Sequence, residues 1–469
     1  MLLLAAATFV GTQACRPCHR AIADAYAQTP MARSSGRVES VAPASFTAAG
    51  NRYRIEGKRL IFDGGSQSMD YYIGSNAAGR SFLSEQDGYL FEVPVTWYAH
   101  KQTWDMSPGF GKYSGIQLTR AIEPSCLLCH SSRLRPVLGS QNRYGDPPFL
   151  DDGVACERCH GPGSEHVRDP GQAQMINPAG LEPDRRDSIC GQCHLTGEAR
   201  VERPGRRFAE FQAGERLADY ATYLVRDTDR RDMKVTSHVE KLAESACKRA
   251  SGNALWCGTC HDPHTNSDKT QAACVGCHPT AHRAQERCAT CHLPKSPVAD
   301  DGGHGVMTDH SIPARIRKPN PSPPVGNLKA FLGIGDDRAL GIAYAQLGDA
   351  RAREYLLRAQ PADAEVGLRL AFLERDAARA AALYESVLRL NPAQPVALVN
   401  LGAIYARAGR LQDAARLWER ALAANPAIEE AALNLAQIRP AAEARTILQN
   451  YLKFDPLSEA ARTRLSAIR

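Results

Sequence analysis

Fourteen of the 15 cysteines fall into seven C-x-x-C-H motifs. In chain order these are Cys15-Cys18-His19, Cys126-Cys129-His130, Cys156-Cys159-His160, Cys190-Cys193-His194, Cys257-Cys260-His261, Cys274-Cys277-His278 and Cys288-Cys291-His292. Two thiols at this spacing, with an imidazole directly after, are the attachment site of a c-type haem. The thiols add to the two vinyl groups, and the adjacent histidine becomes the proximal ligand of the iron. Zinc ribbons also use C-x-x-C pairs, but they do not require a histidine after every second cysteine. A disulfide framework belongs to a short secreted chain with other spacings. Thioredoxin-like pairs do not come in sevens. The motifs therefore point to seven covalently attached haems c and to redox chemistry.

Seven further histidines lie outside the motifs: His100, His166, His238, His264, His282, His304 and His310. Seven spare imidazoles for seven irons suggest mostly bis-histidine ligation. His166 follows a Gly-Pro-Gly turn that can fold the chain back onto a neighbouring haem. His264, three residues after His261, is too near its own motif to cap its own iron. His282 stands four residues after His278 on an expected helix. His304 and His310 bracket a short segment, and His238 lies in the longest gap between the last six motifs. His100 sits among aromatic residues that could simply pack. Its rival is Met31, twelve residues after His19, because methionine is also an axial ligand. The choice between them stays open. Cys247, the one cysteine outside the motifs, is expected to be a buried inert thiol.

These groups need a scaffold. A length of 469 residues suggests roughly two to four domains, and 43% hydrophobic residues is ordinary for a soluble chain. No run approaches the roughly 18 apolar residues of a membrane helix. The formal charge of +6 would be offset by two propionates on each haem. The basic residues are therefore expected to neutralise propionates rather than to bind nucleic acid. Met1-Leu-Leu-Leu-Ala-Ala-Ala7 reads as a signal-peptide remnant (1–7) with small residues at a cleavage site. Export to the periplasm or cell exterior follows, since haem attachment to this motif normally happens after export.

The expected fold class is mainly α: a haem-packed cytochrome domain of short helices with a small β insertion, then an α-solenoid. The haem domain spans 8–312, with a β-rich insertion at 41–100. Within that insertion, Arg52–Phe62 alternates around Gly57, and Ser81–Val93 has a hairpin signal at Asp87-Gly88. A proline-rich stretch at 313–329 reads as an extended linker. Beyond residue 310 there is no Cys or His, and Ala, Leu, Arg and Glu recur with helical periodicity. The segment 330–469 resembles tetratricopeptide repeats. The clearest copy is 395–428, with Leu401, Gly402, Tyr405, Ala414, Trp418, Ala421 and Pro426 at the positions of the repeat.

Several strings resemble multihaem cytochromes c related to the nitrite-reductase and hydroxylamine-oxidoreductase group. They are Cys156-Glu-Arg-Cys-His-Gly-Pro-Gly-Ser-Glu-His166, Trp256-Cys-Gly-Thr-Cys-His-Asp-Pro-His264 and Met307-Thr-Asp-His310. The resemblance is closest to a bacterial class in which such a cytochrome is fused to tetratricopeptide repeats. It implies distal-ligand roles for His166 and His264. In that class a methionine recurs at the place of Met31, and a histidine at His100 is unusual. The Cys-x-x-Cys-Lys motif of the nitrite reductases is absent, which argues against a catalytic site of that kind. The expected function is electron transfer to and from redox partner proteins, with the repeats docking a partner or a second copy. The alternative is an oxidoreductase acting on a small nitrogen or sulfur compound at one open-site haem. A redox sensor with the repeats as its output ranks third, because no domain suggests downstream chemistry.

Overall fold

The computed structural model describes residues 7–113, 115–228, 233–279, 287–298, 305–314 and 326–468. Apolar–polar alternation builds the first half. In the strand Asn51–Glu56, Tyr53 and Ile55 point inward while Arg52, Arg54 and Glu56 face water. Nine strands follow one another: β1 (Ser35–Arg37), β2 (Ala44–Ala48), β3 (Asn51–Glu56), β4 (Arg59–Phe62), β5 (Gly65–Ser68), β6 (Tyr71–Ile73), β7 (Gly79–Gln86), β8 (Tyr89–Tyr98) and β9 (Thr103–Met106). They form two antiparallel sheets, ordered β2-β3-β4-β5 and β1-β6-β7-β8-β9. A shared core of Ile55, Leu60, Met69, Phe82, Val93 and Val95 lies between them. The β7–β8 turn takes positive φ at both Asp87 (54°) and Gly88 (83°), as a two-residue hairpin of matching twist requires.

Strands also run between the haem motifs. β10 (Ser132–Pro136) pairs with β11 (Tyr144–Asp151). β12 (Ala199–Glu202) and β13 (Ala221–Arg226) pair antiparallel. β14 (His261–Asp262) pairs with β15 (Ser267–Asp268), and β16 (Lys295–Pro297) with β17 (Val306–Thr308). The expectation of a mainly α chain is therefore wrong. The molecule is 40% helical and 20% strand, with six small sheets. The physical reason is the length of the motif helices. Several motifs occupy a single turn, as at Glu157–His160 and Cys257–Cys260. The chain between them reverses through short ladders rather than continuing as helix.

After residue 325 the pattern changes. Four antiparallel helix pairs follow: Asp337–Gln346 with Ala352–Arg358, Ala364–Leu373 with Ala377–Leu390, Pro395–Arg407 with Leu411–Ala424, and Glu429–Ile438 with Ala441–Phe454. A final helix, Glu459–Ala467, covers the end. Gly402 is obligatory in the third pair, because a Cβ there would lie 2.5 Å from Trp418 Nε1. Trp418 fills that space, 2% exposed, and donates from Nε1 to the Val399 carbonyl at 3.2 Å.

The stack is joined to the rest of the chain at both ends. β18 (Leu328–Leu332) adds to β13 as the third strand of its sheet. Arg338 donates to the Glu202 carbonyl at 2.8 Å and pairs with Asp363. Ala199, Val201 and Leu224 share one core with Ala339, Ile342 and Tyr344. At the far end Tyr89 and Phe91 of β8 pack on Ala427 and Phe454. Gln141 N donates to the Ala424 carbonyl at 3.1 Å, and Asn425 Nδ2 to Gln141 Oε1 at 2.9 Å.

Candidate functional site

In several motifs a tight turn brings the histidine back to its first cysteine. His19, His160 and His278 donate their backbone N–H to the carbonyls of Cys15, Cys156 and Cys274 at 3.0, 3.0 and 2.8 Å. The fourth motif ends the longest of these helices, Pro183–His194.

The fold then brings motif histidines opposite histidines distant in sequence. His19 faces His166 with ring centroids 6.3 Å apart and planes 20° from parallel. His160 faces His264 at 5.9 Å and 12°. His261 faces His310 at 6.2 Å and 39°. His194 lies edge-on to His238 at 5.1 Å, and His238 in turn touches His310 at 4.9 Å. Two imidazoles bound to opposite sides of one iron, with metal–nitrogen bonds of about 2 Å, put ring centroids about 6 Å apart. Three pairs have this spacing, and the His194–His238 pair is closer.

The second nitrogens are also arranged. Nδ1 of His160 lies 2.7 Å from the Ile176 carbonyl, and Nδ1 of His166 lies 2.7 Å from that of Ala173. Nδ1 of His292 and of His310 lie 2.9 Å from the carbonyls of Pro313 and Thr308. A carbonyl at Nδ1 keeps the proton there and leaves Nε2 as a lone-pair donor, the usual support of a metal-bound imidazole. Burial lowers the pKa of His130, His194 and His310. His238 is pushed down to about 3, first by burial and then by His194, His310 and His261. These rings are neutral at ordinary pH, the form that binds iron. The residues present therefore fit haem c held through two thioethers and two imidazoles.

The remaining positions differ. His282 and His304 lie outside the described residues, as do residues 1–6 of the expected signal remnant and 315–325 of the proline-rich stretch. His100 is exposed in the turn between β8 and β9 and faces no motif histidine among the described residues. His130 is half-buried, its Nδ1 has no hydrogen-bond partner, and no histidine ring faces it among the described residues. Ser34 Oγ lies 2.8 Å from the main-chain carbonyl oxygens of both Met31 and His130, which ties the two backbone segments together. Cys247 is half-buried on the helix Ala246–Ala250.

Motifs also touch one another. The thiol of Cys15 contacts that of Cys156, Cys129 that of Cys193, Cys190 that of Cys257, and Cys274 that of Cys288. Sequence reasoning missed the groups that hold these segments together, above all the buried Glu157 and Glu240. An acidic residue inside a motif, as Glu157 is, was the available signal.

Comparison with known proteins agrees with this chemistry. The family model "Cytochrome c554 and c-prime" matches residues 96–161, and the tetratricopeptide repeat model matches 395–428. The multiheme cytochrome MtrA of Shewanella baltica (strain OS185) is 27% identical over 178 residues, 33% of this chain and 52% of that protein. The chain thus spans about half the length of this relative. The crystal structure of the outer cell wall cytochrome OcwA aligns over 87% of this chain and 99% of its own, at 14% identity and a TM-score of 0.44. A solved structure of a MamA mutant aligns over 28% of this chain and 83% of its own, at 22% identity and a TM-score of 0.25. Seven attachment motifs, facing imidazoles and the two family matches give this chain its likeness to multihaem c-type cytochromes, joined to tetratricopeptide repeats.

Proposed function

We propose that the chain relays electrons along seven covalently attached haems c in an exported compartment. Each haem supplies a reversible one-electron iron couple. The chain's own residues set where it sits and what fills its axial positions. The four facing histidine pairs carry this reading. On this reading His19 shares an iron with His166, His160 with His264, His194 with His238, and His261 with His310. His282 and His304, outside the described residues, are left as candidate ligands for the haems of the second, sixth and seventh motifs. Iron held on both sides has no free position for substrate, which suits transfer rather than catalysis.

The motif contacts set an order. The first motif adjoins the third, the fourth adjoins the second and the fifth, and the sixth adjoins the seventh. The sheet and helix contacts hold the repeat stack to this assembly. Its outer helices still present exposed Leu357, Phe372 and Leu390, a surface suited to a protein partner.

One observation favours a second reading at a single haem. No histidine ring faces His130 among the described residues, and Met31 is the candidate ligand on which this reading of the second haem turns. An open iron there would accept a small ligand and support the oxidoreductase alternative.

A pyridine haemochrome assay with intact mass should give seven haems per chain, and five or fewer would refute the count. Electron paramagnetic resonance should show low-spin iron with at most one high-spin centre. High-spin signals or carbon monoxide binding at several haems would refute the ligation scheme. Met31→Leu should change one haem, and His100→Ala none.

A further inference from the structure

The carboxylate of Glu157 is 1% exposed and no cation pairs with it among the described residues. Three backbone N–H groups bind it instead. Val10 N donates to Oε1 at 2.8 Å, Gly163 N to Oε1 at 2.7 Å, and Gly11 N to Oε2 at 2.7 Å. By sequence Glu157 belongs to the third motif. Its donors belong to other segments. Val10 and Gly11 lead directly into the helix Thr12–Cys15 of the first motif, and Gly163 precedes the helix Ser164–Arg168 that carries His166.

The neighbouring contacts reinforce that connection. Thr8 N donates to Ser164 Oγ at 2.8 Å, and Ser164 N to the Thr8 carbonyl at 3.1 Å. Gly11 has φ +87°, and a Cβ there would meet Arg133 at 2.5 Å and Asp151 at 2.7 Å. Only glycine fits the backbone that turns its N–H toward Glu157. The segment ahead of His19 and the segment ahead of His166 are thus fastened to one buried anion.

We propose that Glu157 is a positioning residue for the first haem: it sets the separation of His19 and His166 and places a fixed negative charge beside that haem. The proposal rests on the assignment of His19 and His166 to one iron. Hydrogen bonds from N–H groups to a carboxylate are stronger than neutral ones, and three of them fix its position. A buried anion near a haem favours the ferric state, so its removal raises the potential. A partial counterpart lies beside His194, where Glu240 leaves Oε2 without a partner and burial raises its pKa. Glu240 is 3% exposed and accepts from Thr196 N at 3.3 Å and Gly197 N at 2.9 Å, just after His194. It lies on the helix that begins with His238.

The test uses the full-length holoprotein with Glu157→Gln, Glu157→Ala and Glu157→Asp, beside His166→Ala and His264→Ala as references. Redox titration and electron paramagnetic resonance are read together. Glu157→Gln should keep every haem low-spin and move one component of the titration upward. That component should be the one altered by His166→Ala, not the one altered by His264→Ala. Glu157→Ala should convert part of the same haem to high spin, and Glu157→Asp should fall between. Spectra and titrations like those of the unaltered protein in both Gln and Ala variants would overturn the proposal. So would a change confined to the His264 component, or failure of all three variants to mature, which would mark a purely structural role. If only Glu157→Ala fails to mature, the Gln variant decides. If His166→Ala leaves every haem low-spin, the ligand assignment itself has failed, and the proposal falls with it.

Discussion

Between residues 395 and 424, two helices of 13 and 14 residues bury ten residues, among them Leu398, Leu401, Leu417 and Trp418. Among the described residues between 257 and 292, three helices of four, eight and five residues carry three haem motifs and bury only Thr270. The first stretch is held by side chains from consecutive helices interlocking, as in any stack of helical repeats. The second has too little apolar side chain for that, and its order depends on thioether and iron–nitrogen bonds. One chain therefore contains two kinds of interior. The first is sensitive to shape, and the second to a few specific atoms.

The largest expected effect is on the second kind. Cys190→Ser with Cys193→Ser removes the fourth attachment, at the junction with the second and fifth motifs. The expected outcome is loss of more than one haem per chain in a haemochrome assay, with little holoprotein accumulating. Loss of a single haem from an otherwise normal protein would show that the motifs are independent. In the repeats, Trp418→Ala should cost about 3–5 kcal/mol, the usual penalty for emptying a large aromatic site. Its thermal transition should fall while the haem absorption bands stay unchanged. A shifted haem spectrum would mean that the two interiors are coupled more tightly than this comparison allows.

A third expectation concerns Glu92 of β8, 8% exposed and 3.2 Å from Arg120. Burial pushes its pKa up to about 7, and Arg120 only partly offsets this. The folded state then holds the proton more tightly than the unfolded state, whose pKa is about 4.5. The stabilisation is complete below about pH 4.5 and is lost as pH rises through about 7. Glu92→Gln removes the dependence. Relative to the unaltered chain, the variant should gain on the order of 2–3 kcal/mol between pH 5 and 8, measured by denaturant unfolding. A pH-independent difference would refute this. The smallest effect is expected at the junction of the two regions. Phe454→Ala strips the contact with Tyr89 and Phe91. At an edge site, with Phe454 itself 9% exposed, the cost should be about 1–3 kcal/mol. Proteolysis should then cleave first between the regions, while haem content stays unchanged.

The seven motifs were legible because their chemistry is local: two thiols and an imidazole within five residues make sense without a fold. The repeat at 395–428 was legible for a related reason. Gly402 and Trp418 are 16 residues apart and belong to one hairpin of helices. The strands between motifs were not legible. β14 and β15 have two residues each and β16 and β17 three, too short for a period of two to stand out. The motif histidines also drew attention toward helix.

The sequence by itself determined which atoms can hold haem and how many places there are to hold it, since covalent attachment is written in adjacent residues. Only the tertiary structure decided which imidazole faces which. His19 meets His166 across 147 positions, and His160 meets His264 across 104. Counting spare histidines cannot choose among such partners, because each pairing depends on how intervening strands and turns return the chain. Among the described residues no histidine ring faces His130, and none faces His278 or His292, although their motifs are like the rest.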